Sequence, residues 1–206
     1  MQFPKLAVTV ATAAMVLGSP ALAQNSVLLP IIIELSGGGA TVGNNWKNGV
    51  ELAAAEVNAT GGILGKKVEI PAVDTQTNPG VARAAIQRVL DDKPLAILGP
   101  IYSGSVKASM QLTADAEVPQ IMGGEAGDLT AQGSKCIFRT SFGQNISMPK
   151  LANYLRDGEK AKSVAVVYVN NDFGKGGRDA IIKELNSRNI KVAADLSTEA
   201  GQADFA

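Results

Sequence analysis

Short apolar runs alternate with segments of helical periodicity through most of the 206-residue chain, and this alternation limits the folds open to it. Runs such as Leu95–Gly99 and Ser163–Val169 are continuous, which is typical of strands buried on both faces. Segments such as Asn45–Asn58 and Gly174–Asn186 repeat their apolar residues at helical spacing. Strands that alternate with helices of about a dozen residues form βαβ units. The sequence therefore predicts an α/β fold with open parallel sheets.

The other predicted elements follow the same alternation. Strands are predicted at Val27–Glu34, Val68–Val73, Val118–Met122, Ile137–Thr140 and Ile190–Leu196, and helices at Ser103–Glu117 and Pro149–Asp157. Asn78 followed by Pro79 predicts a further helix with an N-cap and a proline in its first turn. Pro30 lacks a backbone N–H, so the regular part of the first strand is expected to begin at Ile31.

The first 23 residues have the pattern of a secretory signal peptide. Lys5 precedes the apolar segment Leu6–Leu17, and Ala21-Leu22-Ala23 forms a cleavage site of small residues. The apolar segment is shorter than the ~20 residues that a membrane-spanning helix needs. We therefore expect residues 1–23 to be removed and the mature protein to be periplasmic.

Composition excludes several classes of function. The 19 Lys and Arg residues balance 19 Asp and Glu residues, so no overall charge attracts nucleic acid, and no nucleic-acid partner is expected. The chain has no histidine, and Cys136 is its single cysteine. His-based catalysis, His-ligated zinc and an intramolecular disulfide are therefore excluded. Because export also argues against a nucleotide, we expect neither a cofactor nor a metal.

Ligands of open parallel sheets bind at the carboxyl ends of strands, where the strand order reverses. Four predicted loops lie at such ends, and they are Glu34–Gly43, Asp74–Asn78, Gly99–Ser105 and Met122–Asp128. In the third loop, Tyr102, Ser103 and Ser105 stand at the start of a helix. A helix N-terminus offers free N–H groups and partial positive charge to a carboxylate or phosphate. The alternative interpretation is that Ser103 caps its own helix.

Several motifs occur together in an order found in a known family. They are Glu34-Leu35-Ser36-Gly37, residues 58–69 (NATGGILGKKVE), Gly99-Pro100 with Ser103-Gly104-Ser105, Phe138-Arg139-Thr140, Val164–Tyr168, and residues 171–176 (NDFGKG). Their order and spacing resemble the branched-chain amino-acid (Leu/Ile/Val) binding proteins, which are periplasmic receptors of ATP-driven (ABC) importers. The resemblance covers the whole mature segment, and the Gly-Gly-Ile-Leu-Gly turn combined with residues 171–176 is fairly specific.

The resemblance implies a two-lobe periplasmic-binding-protein-like fold, in which two hinged α/β lobes with open parallel sheets close on a ligand. Residues 24–138 correspond to lobe 1, and Phe138-Arg139-Thr140 resembles the first crossing between lobes. Residues 139–206 correspond to the start of lobe 2. Because family members are considerably longer, we expect the second lobe to be incomplete in this chain.

The resemblance also implies a ligand site between the lobes. Ser103 matches the family serine that binds the ligand's α-carboxylate, and Phe173 matches a lobe 2 aromatic residue that closes over the ligand. Val42 replaces an aromatic residue of the side-chain pocket. Glu125 replaces a small or hydroxyl residue, and it either holds an ammonium group or repels a carboxylate. The predicted ligand-binding residues are Ser103, Ser105, Tyr102, Gly124, Glu125, Val42 and Phe173.

Three functions remain open on these grounds. The first is a non-enzymatic solute-binding protein that delivers a small amino-acid-like or carboxylate ligand to the permease subunits of an ABC importer, and that meets the membrane only through this partner. The second is a ligand-sensing ectodomain of the same fold. The third is a secreted α/β hydrolytic enzyme, for which the candidate acids are Glu34, Asp74, Glu125 and Asp172.

Overall fold

The structure, a computed structural model, describes residues 26–205, so the predicted signal peptide lies outside the described residues. The strands are β1 (Ser26–Leu28), β2 (Ile31–Ile33), β3 (Lys67–Glu69), β4 (Ala72–Asp74), β5 (Ile97–Leu98), β6 (Gln120–Met122), β7 (Ile137–Arg139), β8 (Ser163–Val169) and β9 (Lys191–Thr198). The helices are α1 (Ala40–Ala59), α2 (Pro79–Leu90), α3 (Ser103–Asp115), α4 (Gln144–Asp157) and α5 (Asp172–Ser187), with 3-10 turns at Gly37–Gly39 and Gly127–Thr130. The alternation confirms the predicted α/β class.

The largest sheet has five parallel strands in the order β4-β2-β5-β6-β7. After β2 the chain adds β4 on one side and then returns to add β5 on the other. The strand order therefore reverses between β2 and β5. Such a reversal opens a crevice at the carboxyl ends of the two strands, because the connections that follow them run to opposite faces of the sheet.

Prolines divide two of the predicted strands. The run predicted as Val27–Glu34 is split by Pro30 into β1 and β2, and Pro71 separates β3 from β4. Pairing continues across both breaks, since the N–H of Leu29 donates to the carbonyl of Glu69 at 2.8 Å and that of Ile31 donates to the carbonyl of Pro71 at 2.8 Å. The single predicted strands are thus interrupted where a proline cannot donate to the ladder.

Apolar side chains form two neighbouring cores on one face of the five-stranded sheet and a third core elsewhere. One cluster joins α2 to the sheet and contains Ile32, Ala85, Ile86, Val89 and Ile97. Another lies under α3 and contains Val106, Met110, Met122, Ala126, Leu129 and Ile137. The third contains Ala152, Val166, Ile181, Leu185 and Ile190, between α4, α5 and the strands β8 and β9.

Two units follow from these cores. We call residues 26–139 with the five-stranded sheet the first unit, and residues 144–198 with the parallel pair β8-β9 the second unit. The predicted lobe boundary between residues 138 and 139 falls inside β7, whose pairing with β6 continues to Arg139. The division of the chain into lobes stays a prediction.

Three helices begin earlier than the sequence predicted, α5 by two residues and α1 and α4 by five. Helix α1 starts at Ala40 rather than Asn45, so Val42 lies in a helix and not in a loop. Helix α4 starts at Gln144 and includes Pro149, which was predicted to be its first residue. Pro149 is therefore an interior proline, and Gly143 before the helix has no capping side chain that could have indicated the earlier start.

Candidate functional site

The crevice of the first unit begins at Glu34, which directly follows β2 and is fully buried. Its Oε2 accepts a hydrogen bond from the backbone N–H of Ile101, in the loop after β5, at 3.2 Å. Helix α1 packs tightly against this point, because a side chain at Gly43 would collide with the carbonyl oxygen of Glu34. Glycine is therefore required at the closest approach of helix and strand.

The Glu34 carboxyl group is held in an apolar setting. Burial raises its pKa, and hydrogen bonds from the backbone of Ile101 and the hydroxyl of Ser105 offset this only in part. The other carboxyl oxygen, Oε1, is buried without a hydrogen-bond partner among the described residues. Ser105 is 1% exposed, so the structure places this predicted ligand-binding residue beneath the loop, next to Glu34.

Ser103 is the first residue of α3 and connects the loops that follow β5 and β6. It is 2% exposed, and its Oγ accepts hydrogen bonds from the backbone N–H groups of Glu125 and Ala126, at 3.2 and 3.1 Å. The interpretation that Ser103 caps its own helix is wrong, since Tyr102 holds the cap position and makes no side-chain cap. A serine hydroxyl has two acceptor sites and one proton. Among the described residues the hydroxyl proton has no acceptor.

Glu125 lies in the loop after β6, with its backbone bonded on both sides. Its N–H donates to Ser103, and its carbonyl accepts from the backbone N–H of Gln144 at 2.9 Å. Among residues 26–205 its half-buried carboxylate has neither a hydrogen-bond nor an ion-pair partner. Burial lowers the pKa of Arg139, and attraction to Glu125 and Asp128 opposes this effect. The residue that carries this unbonded carboxylate is thus joined to Ser103 through its backbone.

Phe173 lies in the first turn of α5 and is 43% exposed. The preceding residue, Asp172, comes close to the start of α3, since a Cβ built on Gly104 would lie 3.4 Å from its Oδ2. Lys107 joins the same elements, because its Nζ lies 3.1 Å from an oxygen of Asp172 and 3.1 Å from one of Asp128. The N-terminal turns of α3 and α5 therefore meet, and Phe173 lies in the second of these turns.

The remaining predicted site residues are Gly124, Tyr102 and Val42, and they differ in burial and surroundings. Gly124 is buried, and a Cβ there would lie 3.3 Å from the Cα of Ser103 and 2.8 Å from a methyl of Leu129. Tyr102 is half-buried, with its ring against Gly39. Val42 is 56% exposed near the start of α1. The structure thus brings Ser103, Gly124 and Glu125 together, and it places Phe173 in the first turn of α5.

Sequence reasoning missed two residues that connect the units, Lys107 and Gln144. Lys107 follows Ser103 by four residues, and this helical spacing is the signal that could have placed both on one face of α3. Gln144 carried no comparable signal, because its helix was expected to begin later. A cavity of about 400 Å³ lies beside both residues, and its other lining residues are Gly127, Asp128, Asn145, Asp172, Lys175, Gly176, Asp179 and Ala180.

The four candidate acids of the enzyme interpretation do not form a catalytic pair. Glu34 is buried, and Asp172 pairs with Lys107. Asp74 accepts hydrogen bonds from the Ser36 hydroxyl and from the N–H groups of Leu35, Ser36 and Gln76. Although burial raises the pKa of Asp74, these hydrogen bonds outweigh it and lower the pKa. Residues 26–205 also contain no group of three or more acidic or cysteine side chains placed to hold a metal ion.

Comparison with known proteins identifies the class to which this arrangement belongs. The family model described as periplasmic binding protein matches residues 26–206, so the chain belongs to that family. A Leu/Ile/Val-binding protein of Rhizobium johnstonii is 30% identical over 185 residues, which are 89% of this chain and 50% of that protein. The chain spans about half the length of the relatives it matches.

Solved structures agree with this membership. The branched-chain amino acid transporter substrate binding protein LivJ of Streptococcus pneumoniae, solved in complex with isoleucine, is 28% identical with a TM-score of 0.78, over 87% of this chain and 51% of that one. A fatty acid ABC transporter substrate-binding protein of Thermomonospora curvata is 24% identical with a TM-score of 0.78, over 87% of this chain and 46% of that one. The second likeness shows the fold alone.

Family membership confirms the resemblance and the fold class inferred from the sequence. The family and the fold are those of non-enzymatic solute-binding proteins, which is the class expected for this chain. In the part of the chain that the structure describes, no helix has the length and apolar character needed to cross a membrane.

Proposed function

We propose that the whole protein binds a small α-amino acid between two lobes in the periplasm and delivers it to the permease subunits of an ABC importer. The observation that carries the proposal is the bonding of the Ser103 hydroxyl to the backbone of the loop that carries Glu125, whose carboxylate has no bonded partner among the described residues. The names of the relatives support this ligand class, because they include Leu/Ile/Val-binding proteins.

The two groups suit the two charges of an amino acid. The Ser103 hydroxyl and the free N–H groups at the start of α3 donate to the ligand carboxylate, where the partial positive charge of the helix adds to the attraction. The Glu125 carboxylate accepts from the ligand ammonium group. Phe173, whose side chain is partly exposed, covers the apolar part of the ligand from the second unit. A ligand that has a carboxylate but no ammonium group is repelled by Glu125.

A ligand bound in this way favours closure, because it makes more contacts in the closed form than in the open form. A ligand held by Ser103 and Glu125 gains the contact with Phe173 only when the two lobes are together, so it shifts the population toward the closed form. The closed form is then the one that the permease subunits recognise.

Calorimetry on the full-length protein tests the proposal with L-leucine, L-isoleucine, L-valine and L-alanine. We expect binding of at least one of these, and a loss of about 10- to 100-fold in affinity for Ser103→Ala, because a charge-assisted hydrogen bond is removed. Ser109→Ala is the matched control, since Ser109 is buried in the same helix and its hydroxyl donates to the carbonyl of Ser105.

Two outcomes contradict the proposal. Absence of binding to every amino acid tested would exclude the ligand class. Equal affinity of the wild-type protein and Ser103→Ala would remove Ser103 from the site. Because the alanine also leaves the N–H groups of Glu125 and Ala126 without their acceptor, the melting temperature of each variant is measured alongside.

A further inference from the structure

Gln144 makes two hydrogen bonds that reach opposite sides of the proposed ligand site. Its backbone N–H donates to the carbonyl oxygen of Glu125 at 2.9 Å, and its side-chain Nε2 donates to the carbonyl oxygen of Phe173 at 2.8 Å. Glu125 belongs to the first unit, and Phe173 belongs to the second. One residue, 1% exposed, therefore fixes the backbone of both.

The first turns of α5 are shaped to admit this side chain. A Cβ on Gly176 would lie 2.9 Å from Oε1 of Gln144, and a Cβ on Gly177 would lie 2.9 Å from Nε2. Real Cβ atoms almost never approach polar atoms so closely, so two successive glycines leave room for the amide. The Gln144 amide thus lies against the backbone of α5, at the end that carries Phe173.

The amide is poorly suited to a purely stabilising role. Its Oε1 is buried and has no hydrogen-bond partner among the described residues. An unsatisfied buried acceptor costs stability, which largely offsets the gain from the bond that Nε2 makes. An apolar side chain of similar length would fill the same space without this cost. The property that only an amide supplies here is the directed bond to the carbonyl of Phe173.

We propose that Gln144 is a positioning residue that holds Phe173 in register with Glu125 in the closed form, so that the aromatic cover takes a fixed position relative to the polar groups of the site. This inference rests on the proposed function and adds to it a determinant of specificity. Phe173 covers the apolar side chain of the ligand, so loss of its register reduces affinity most for ligands with large apolar side chains. A ligand with a small side chain depends mainly on Ser103 and Glu125.

The test is Gln144→Met in the full-length protein, with the affinities for L-leucine and L-alanine and the melting temperature measured together. Methionine keeps the length of the side chain and removes both the donor and the unsatisfied acceptor. We expect leucine affinity to fall about five- to tenfold, the size of one lost hydrogen bond, and alanine affinity to change less than about twofold. The melting temperature stays within about 2 °C of the wild-type value or rises.

Two further variants complete the experiment. Gly177→Ala retains Gln144 but pushes its Nε2 away, so it should reproduce the selective loss of leucine affinity. Gln111→Met is the control, because Gln111 is exposed on α3 and bonds only to Asp115 within its helix.

The outcomes separate this inference from the proposed function. Wild-type protein that binds neither amino acid overturns the proposed function and this inference with it. Wild-type binding with equal losses for leucine and alanine, or with unchanged affinity in Gln144→Met, overturns the inference alone. A fall in melting temperature with an unchanged ratio of the two affinities assigns Gln144 a structural role only and also overturns it.

Discussion

Glu34 shows how a single residue can weaken the fold while it shapes the site. Its carboxyl group is fully buried and accepts a hydrogen bond from the loop that leads to Ser103. Burial raises its pKa from the usual 4.5. A raised carboxyl pKa means that the folded state binds the proton more tightly than the unfolded state. The corresponding stability is fully present below pH 4.5 and is lost as the pH rises through the folded-state pKa.

Glu34→Gln is therefore expected to stabilise the protein at neutral pH. The amide oxygen still accepts from Ile101, and no charge has to be buried. We expect the melting temperature at pH 7 to rise by about 2–4 °C, and the difference from the wild-type protein to shrink toward pH 4. Glu56→Gln, at an exposed position of α1, is the control. Destabilisation by Glu34→Gln at pH 7 that disappears toward pH 4 would show instead that the ionised carboxylate supports the fold.

Ser103 and Gln144 show which features of a site can be predicted from a sequence. The position of Ser103 followed from the alternation of strand and helix, because a helix that starts after a buried strand lies at the carboxyl edge of the sheet. The partners of its hydroxyl did not follow, since Glu125 and Ala126 approach it from another loop. Gln144 could not be predicted for the same reason. Local patterns predict where a residue lies in its helix, strand or loop. Long-range packing decides which groups its side chain contacts.

At the scale of elements, helix boundaries are set by a few identifiable interactions. Helix α2 begins as the sequence predicted, because the side chain of Asn78 accepts hydrogen bonds from the N–H groups of Gly80 and Val81, at 2.8 and 3.2 Å. Pro79 follows as the first helical residue, where a missing N–H costs nothing. The cap was predictable because all of its members lie within four consecutive residues.

Asn78→Ala should remove this cap. Two N–H groups at the start of α2 then lose their acceptor, and we expect the free energy of unfolding to fall by about 1 kcal/mol, measured by urea denaturation. Asn78→Asp is the matched control, because it keeps the accepting oxygen and adds a negative charge that the helix N-terminus favours. Equal losses for the two variants would show that the cap bonds do not account for the effect.

Strands were less predictable than this helix, for a physical reason. The sequence predicted one strand at Val27–Glu34, whereas β1 and β2 are separated at Pro30 and belong to different sheets. Apolar periodicity reports burial and not hydrogen bonding, and burial itself changes along this run, from half-buried in β1 to fully buried in β2. Pro30 did predict the start of the regular strand at Ile31, where β2 begins, but not that the segment before it joins a different sheet.

At the scale of the whole molecule, the two units meet through few polar contacts. Lys107 of the first unit lies within 3.1 Å of Asp128 in its own unit and of Asp172 in the second. Its attraction to both carboxylates raises the pKa of Lys107, so it remains charged over the physiological range. The three side chains are about half exposed, at 46%, 50% and 43%, so the pairs contribute little to folding.

A weak contact between units can still influence ligand binding. If binding closes the units on each other, the pair between Lys107 and Asp172 contributes only to the closed form, and even a small energy changes the population of that form. Salt screens exposed charges, so the same energy should decrease with ionic strength. We therefore expect part of the ligand affinity to depend on salt. This part comes from the ion pair of Lys107 and Asp172, which do not contact the ligand themselves.

Lys107→Met tests this component in the full-length protein. We expect leucine affinity to fall about two- to fivefold at low salt, as exposed ion pairs contribute at most about 1 kcal/mol, and the difference from the wild-type protein to vanish near 0.5 M salt. Lys183→Met, at an exposed position of α5, is the control for the loss of one positive charge. Equal salt dependence of affinity in the wild-type protein and in Lys107→Met would show that the pair is present in the open and closed forms alike. Closure would then rest on the ligand contacts alone.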